Sequence, residues 1–476
     1  MIGLLFSLLS IALLIFLLYK KVNAQMSLLL SGIVLLIFSL VFQSPLVVNF
    51  LQINGLDFLI LQEKPILSEK QSLHFGLFDL FQVINTKMSS TLSGLGLTLM
   101  AIAGFSAYMD HVGASYALFK VFEKPLKSIK SPYVLLILSF VITQFIVIFI
   151  PSHAGLALLL MVMMYPILVR SGVSKLSALS VIGTCQFIDH GPGSGNVILA
   201  AQTANIDPAT YFVYHQLPTT IPILIAVAVT NFFVQRYFDK KEGFVFNAEL
   251  VEKELSENDS SVRNVPKMYA ILPIIPLILI LGFSKIFGSQ IQMNVPVAML
   301  ISTFIAIFFE IIYRKSVFET LDSIMIFFKG MGNLFVITVS LIVCGQVFAT
   351  GLTSVGFVDA LIDYAKNFGF NAIAIIIFVS ILLAVSAFLM GSGNAAFFSF
   401  APLIPNIAKS FGIDTITMIA PIQIMTGFGR CVSPIAPAII AVATMAKVSP
   451  LQVVKRTAIP MLVAGIVNLI CTYIYI

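Results

Sequence analysis

The chain has 476 residues, of which 59% are hydrophobic and only 10% charged, with a formal net charge of +6 and a mean hydropathy of +1.04. That balance excludes a soluble globular domain of this size and indicates a polytopic membrane protein. The positive excess needs no nucleic acid to explain it, because the basic residues sort into a topology pattern described below.

Apolar runs long enough to cross a ~30 Å hydrocarbon core as helices recur along the whole chain. They fall at 1–19, 26–43, 86–110, 132–170, 177–201, 209–234, 268–288, 294–313, 325–352, 370–410, 413–446 and 452–476. The opening run MIGLLFSLLSIALLIFLLYKK lacks the positive n-region of a signal peptide and its apolar part is too long, so it reads as a retained first helix. Two segments are too long for one straight crossing and are punctuated at their centres, by FIPSHAG at 149–155 and MGSGNAA at 390–396. Each reads as a helix, a polar tip and a returning helix. Cys185, Cys344, Cys431 and Cys471 sit in apolar segments without metal-ligand or disulfide spacing and read as small hydrophobes. Phe and Met, spread through the apolar runs, read as packing.

With both hairpins re-entrant, twenty of the 27 Lys and Arg residues fall on one face, six on the other, and Arg430 alone lies within the membrane. The richer face is cytoplasmic by the positive-inside rule, which puts both termini outside. Asp110 and His111 then lie at the inner end of a helix, beside an amphipathic segment at 113–128, and read as interfacial anchors.

The chain also repeats at about half its length. Ser152 and Ser392 are 240 positions apart, as are Gly172 and Gly412, while Pro208 and Pro450, and Pro218 and Pro460, are 242 apart. An odd number of crossings separates the copies, so the second runs in the opposite sense, as in secondary transporters. The expected fold is an all-α polytopic membrane protein, an inverted-topology repeat with two re-entrant hairpins and two broken transmembrane helices. Residues 1–85 supply N-terminal helices and an outer loop. The first repeat is 86–234, with hairpin 132–170 and broken helix 177–201; 235–267 is a solvated cytoplasmic linker of mixed charge. Residues 268–313 are connecting helices, and 325–476 the second repeat, with hairpin 370–410 and broken helix 413–446.

Backbone amides freed by Gly and Pro cannot face lipid, so the breaks at 151–155, 189–196, 391–395 and 427–437 must face protein or a water-filled cavity. Half-helix N-termini at such breaks direct positive dipole ends at an anion. Arg430, costly within a membrane, needs either a carboxylate substrate or Asp189 as a partner. Asp189 and His190 form a titratable pair in the other break, suited to ion coupling or to neutralising Arg430 and capping a carbonyl. The candidate substrate-binding residues are Ser152, His153, Ser194, Gly195, Asn196, Ser392, Gly393, Asn394, Arg430 and Ser433, with Asp189 and His190 as ion-coupling candidates. No catalytic or metal site is expected, and no GxxxxGK[ST] motif supports ATP coupling.

The stretches AGFSAYMDHVGAS, GSGNVILAAQ, GSGNAAFFSF and GRCVSPIAPAIIAVATMAKVSPLQVVKRTAIP resemble the anaerobic C4-dicarboxylate carrier C (DcuC) family of the ion-transporter superfamily. They run from about residue 90 to the C-terminus. The resemblance implies a secondary transporter of succinate, fumarate or malate in a bacterial inner membrane, by antiport or ion-coupled symport, with the tips and broken helices forming the site. The expected partners are a small dicarboxylate and the lipid bilayer. No cofactor is implied beyond a coupling proton or Na+, and a homodimer is left open. The alternatives are a carrier for another small carboxylate or an amino acid, an intramembrane enzyme built on His153 or His190 with Asp189, and a channel.

Overall fold

A computed structural model describes residues 2–20, 22–53, 76–256, 265–284, 286, 290–291 and 293–475. Of the cations used in the topology argument, Lys21, Lys64, Lys70, Arg263 and Lys285 lie outside the described residues. Among the described residues every regular element is helical. The N-terminal helices are α1 (Ile2–Tyr19), α2 (Ala24–Phe42) and α3 (Pro45–Ile53). The first repeat opens with the long α4 (Gly76–Val112) and the amphipathic α5 (Ala114–Lys127). Its hairpin is α6 (Pro132–Ile146) returning through α7 (His153–Met163) and α8 (Tyr165–Arg170). Its broken helix is α9 (Lys175–Gly183) and α10 (Gly195–Thr203), and α11 (Pro208–Lys241) closes the unit.

After α12 (Ala248–Ser256), α13 (Lys267–Gly282) and α14 (Val295–Arg314) connect to the second copy. This comprises α15 (Val317–Ser354), α16 (Phe357–Asn367), the hairpin α17 (Ala372–Met390) with α18 (Gly393–Phe400) and α19 (Ile404–Ser410), the broken helix α20 (Thr415–Cys431) with α21 (Pro437–Met445), and α22 (Pro450–Tyr475). Seven helices, α2, α4, α11, α14, α15, α17 and α22, are long and apolar enough to cross a membrane. The first hairpin's outgoing arm is not: fifteen residues at ~1.5 Å each fall short of the hydrocarbon thickness.

The two copies agree in local detail. Both long opening helices contain a π-helical turn, at Leu92–Gly96 and Phe335–Val339. Each then stops at a left-handed glycine, Gly113 (φ 79°) or Gly356 (φ 78°), which turns the chain into the amphipathic helix. Asn205 (φ 55°) and Lys447 (φ 54°), 242 positions apart, hold the same left-handed bend after each broken helix. The long helices α4 and α15 cross where Gly104 meets Phe327 and Gly330 meets Ala103; a Cβ on either glycine would lie 2.8 Å from a carbonyl oxygen of the other helix.

Element boundaries differ from those read in the sequence for identifiable reasons. The helices expected from 86 and 325 start at Gly76 and Val317, because polar residues such as Asp79, Asn85 and Asp322 occupy their first turns and mask them from a hydropathy count. The first broken helix runs 175–203 rather than 177–201 and is unwound over 184–194, wider than the expected 189–196. The second is unwound only over 432–436. Gly427 and Gly429 stay helical and instead admit the carbonyls of Phe187 and Ala384.

The stretch 235–267 is not wholly a solvated linker. Helix α11 continues to Lys241, and Asp239 is 2% exposed. Its carboxylate pairs with Arg456 of α22 at 2.8 Å and accepts from Ser174 (2.6 Å), Ser177 and Tyr133. Arg456 also reaches Glu242 at 2.6 Å. This buried cluster ties the first hairpin and first broken helix to the two closing helices.

Candidate functional site

Both hairpin tips are built the same way. Ser152 caps α7 by accepting from the Gly155 N–H at 3.3 Å, and Ser392 caps α18 by accepting from the Ala395 N–H at 3.2 Å. Such a cap satisfies one first-turn donor of the four that a helix leaves open. Ser194 sits at the cap of α10 without a side-chain cap bond. Three helix N-termini therefore point out of the polar breaks.

They converge on one cavity of ≈ 300 Å³, at the small end of the range for ligand sites. Pro151, Ser152, Gly193, Gly195 and Asn394 form one wall. The opposite wall comes from α4 and α15, with Ser106, Asp110, Gly330, Asn333 and Thr338. Asp110 and Gly330 lie on the cytoplasmic halves of their helices in the orientation set by the charge bias, so the cavity extends from mid-depth towards the cytoplasm. Each helix N-terminus carries roughly half a positive charge, so three supply about +1.5. The wall of helix N-termini favours an anion, and the Asp110 carboxylate stands on the wall opposite.

Behind the tips lies a buried polar core. Arg430 and Asp189, 5% and 3% exposed, form an ion pair at 3.2 Å. Arg430 also donates to Gln186 O (2.5 Å) and to Asn394 Oδ1 (3.3 Å), which places its guanidinium directly behind a cavity-lining side chain. Asp189 accepts from Gln186 and Asn196 at 2.5 and 2.7 Å. Its backbone oxygen accepts from Gln216 and Gln423. Asp189 and Arg430 are 241 positions apart, as are Phe187 and Phe428, whose rings stack at 5.8 Å. Residues at the same offset in the two copies thus meet one another.

The remaining candidates are distributed around this core. His153 turns its Nε2 to Gly183 O at 3.0 Å, away from the cavity. His190 faces Ile188 O through Nδ1 (3.1 Å) and Gln144 O through Nε2 (2.7 Å). Ser433 donates to Phe388 O, locking the second break to the second hairpin. Gly393 packs against Thr426, where a Cβ would lie 2.7 Å from the carbonyl oxygen. Of the predicted set, Ser152, Gly195 and Asn394 line the cavity; the others support it from behind.

Sequence reading missed Gln144, Gln186, Gln216 and Gln423, which carry no pattern beyond being amides in apolar segments. It also placed Asp110 at the interface as an anchor, whereas its carboxylate accepts from Ser115 at 2.6 Å and its residue forms part of the cavity wall. Oxygen atoms of Gln144, Gln186 and Asn196 and Nε of Arg430 are buried without protein partners. Among the described residues no group of His, Cys, Asp and Glu is arranged to hold a metal ion.

Residues 2–476 match the sequence model of the family described as C4-dicarboxylate anaerobic carrier. The chain belongs to that family. It is 33% identical over 413 residues to the anaerobic C4-dicarboxylate transporter DcuC of Escherichia coli K12, covering 87% of this chain and 88% of that protein. To the probable anaerobic C4-dicarboxylate transporter DcuC of Vibrio cholerae it is 31% identical, covering 88% and 90%. Among solved structures, the Alcanivorax borkumensis YdaH transporter superposes with a TM-score of 0.52 at 13% identity over 93% of this chain and 98% of that one. The Neisseria gonorrhoeae MtrF structure gives 0.52 at 12% identity, over 93% and 95%; both likenesses establish a shared fold alone. The C4-dicarboxylate anaerobic carriers are transporters, not enzymes, and this member is a multi-pass protein of the bacterial inner membrane.

Proposed function

We propose that this carrier moves succinate, fumarate or malate across the inner membrane by alternating access, as an antiporter or an ion-coupled symporter. The convergence of three helix N-termini on one small cavity supports this reading most strongly, because it offers dispersed positive potential to a dianion without a bare cation in the wall. The names of the relatives point to the same substrate class.

In this reading the substrate carboxylates are held by the amides and small side chains at Ser152, Gly195 and Asn394, with His153, Ser194, Asn196, Ser392 and Gly393 shaping the three tips from behind and Ser433 bracing the second tip. Arg430 acts through Asn394. Its charge is offset by Asp189 when the cavity lacks substrate, and turning part of the guanidinium's hydrogen bonding towards an entering carboxylate strengthens binding in proportion. The hairpins and broken helices move as one body against α4 and α15, the Asp189–Arg430 pair keeping the copies together.

Asp189 and His190 are the coupling candidates. Both ring nitrogens of His190 face carbonyl oxygens, which fixes the imidazole beside Asp189. Counterflow of labelled succinate in proteoliposomes, run across pH and with or without Na+, tests the proposal. Saturable exchange of unchanged succinate, fumarate and malate supports it; flux that does not saturate, or preference for monocarboxylates or amino acids, removes it.

A further inference from the structure

A second cavity, of ≈ 560 Å³, lies at the cytoplasmic face and shares no lining residue with the first. One side is cationic: Lys120 and Lys127 project from α5, and Arg170 ends the first hairpin. Glu123 is the one carboxylate in the lining and binds Lys127 at 2.5 Å, while Arg170 forks onto Glu252 at 2.8 and 3.1 Å. Lys120 has no carboxylate partner among the ion pairs of the described residues; its ammonium lies 5.7 Å over the Tyr116 ring. The other side is apolar, with Met161 and Met163 of α7 and Met445 of α21.

We propose that this cavity binds one anionic phospholipid of the cytoplasmic leaflet, its phosphate at Lys120 and Lys127 and an acyl chain along the methionines. The two-sided lining favours a lipid over a soluble phosphate, which has no use for a thioether wall. Flexible methionine side chains adapt to an acyl chain. Helix α5 buries Leu118, Phe119 and Leu126 against the protein core shared with the first hairpin, which fixes Lys120 and Lys127 at the mouth of the cavity. The lipid touches α5 on one side and, on the other, the first hairpin and the second broken helix. It is therefore placed to brace the moving body against the amphipathic helix.

The test is lipid retention by the full-length protein. The carrier is purified in mild detergent, mixed with phosphatidylglycerol and phosphatidylcholine, and the retained lipid is counted by native mass spectrometry. Each basic side chain near such a headgroup is worth about fivefold in binding, so Lys120→Ala with Lys127→Ala should weaken phosphatidylglycerol retention roughly twenty-five-fold. The double Lys→Arg variant and the control Lys240→Ala should retain it as the unchanged protein does. Equal retention by the double-alanine variant overturns the proposal. So does displacement of the lipid by millimolar inorganic phosphate, which would mark a soluble-anion site.

Discussion

The Asp189–Arg430 pair carries the most discriminating prediction. Both partners are buried and bond at 3.2 Å, so truncating either leaves an uncompensated charge, at a cost of about 3–5 kcal/mol. Arg430→Gln removes the guanidinium while Asp189 keeps its bonds from Gln186 and Asn196; equilibrium unfolding in mixed micelles should register most of that loss. Asp189→Asn leaves the cation with Gln186 O and Asn394 and should cost a similar amount. The double variant holds no buried charge, so its loss should fall short of the two single losses added together by a coupling energy of about 2–3 kcal/mol. Transport separates the two roles of Arg430. If its charge serves the substrate, the folded double variant still fails in succinate counterflow, while Asp189→Asn binds succinate at least as tightly as the parent. Additive single effects on stability would refute the pairing argument. A double variant that transports with the parental KM would refute the substrate role.

Further expectations follow from the same geometry. Ser152→Ala and Ser392→Ala each lose a cap worth about 1 kcal/mol, and because both capped helices aim at the cavity, KM for succinate should rise about fivefold in each; unchanged KM would detach the tips from the site. Gly427→Ala should abolish folding or transport, because its Cβ has no room beside Phe187 O, whereas Gly332→Ala, with nothing within 4 Å, should be neutral or mildly stabilising; equal behaviour in a membrane-insertion and transport assay would contradict the packing. Asp239→Asn should cost about 3 kcal/mol, the lower end for a broken buried pair, because Arg456 retains Glu242; unaltered thermal stability would show that the cluster contributes nothing.

Much of this architecture is legible in the chain because it is local. A serine before a helix, a glycine that must take positive φ, and proline at a first turn are short-range signals, and their recurrence at 240–242 positions discloses the repeat without any three-dimensional information. The tips and breaks of the site are read in the same way. The far wall is not, since Ser106, Asn333 and Thr338 reach the cavity only because α4 and α15 cross at two glycines. Asp239 was hidden for a related reason. Its local neighbours Lys240, Lys241 and Glu242 look solvated, and the arginine that buries it lies 217 positions away. The four buried glutamines give no periodic or charge signal, so only the fold shows that two of them hold the Asp189 carbonyl.

The central claim is that dicarboxylate occupies the cavity where three helix N-termini meet, and Ser106, on the wall facing them, reports on it directly. The native cysteines are all buried, so Ser106→Cys gives a nearly isosteric label site over a low background. Maleimide labelling in inside-out vesicles should be fast and should slow with succinate at concentrations near its transport KM, with acetate giving no protection. Labelling indifferent to succinate would contradict the account.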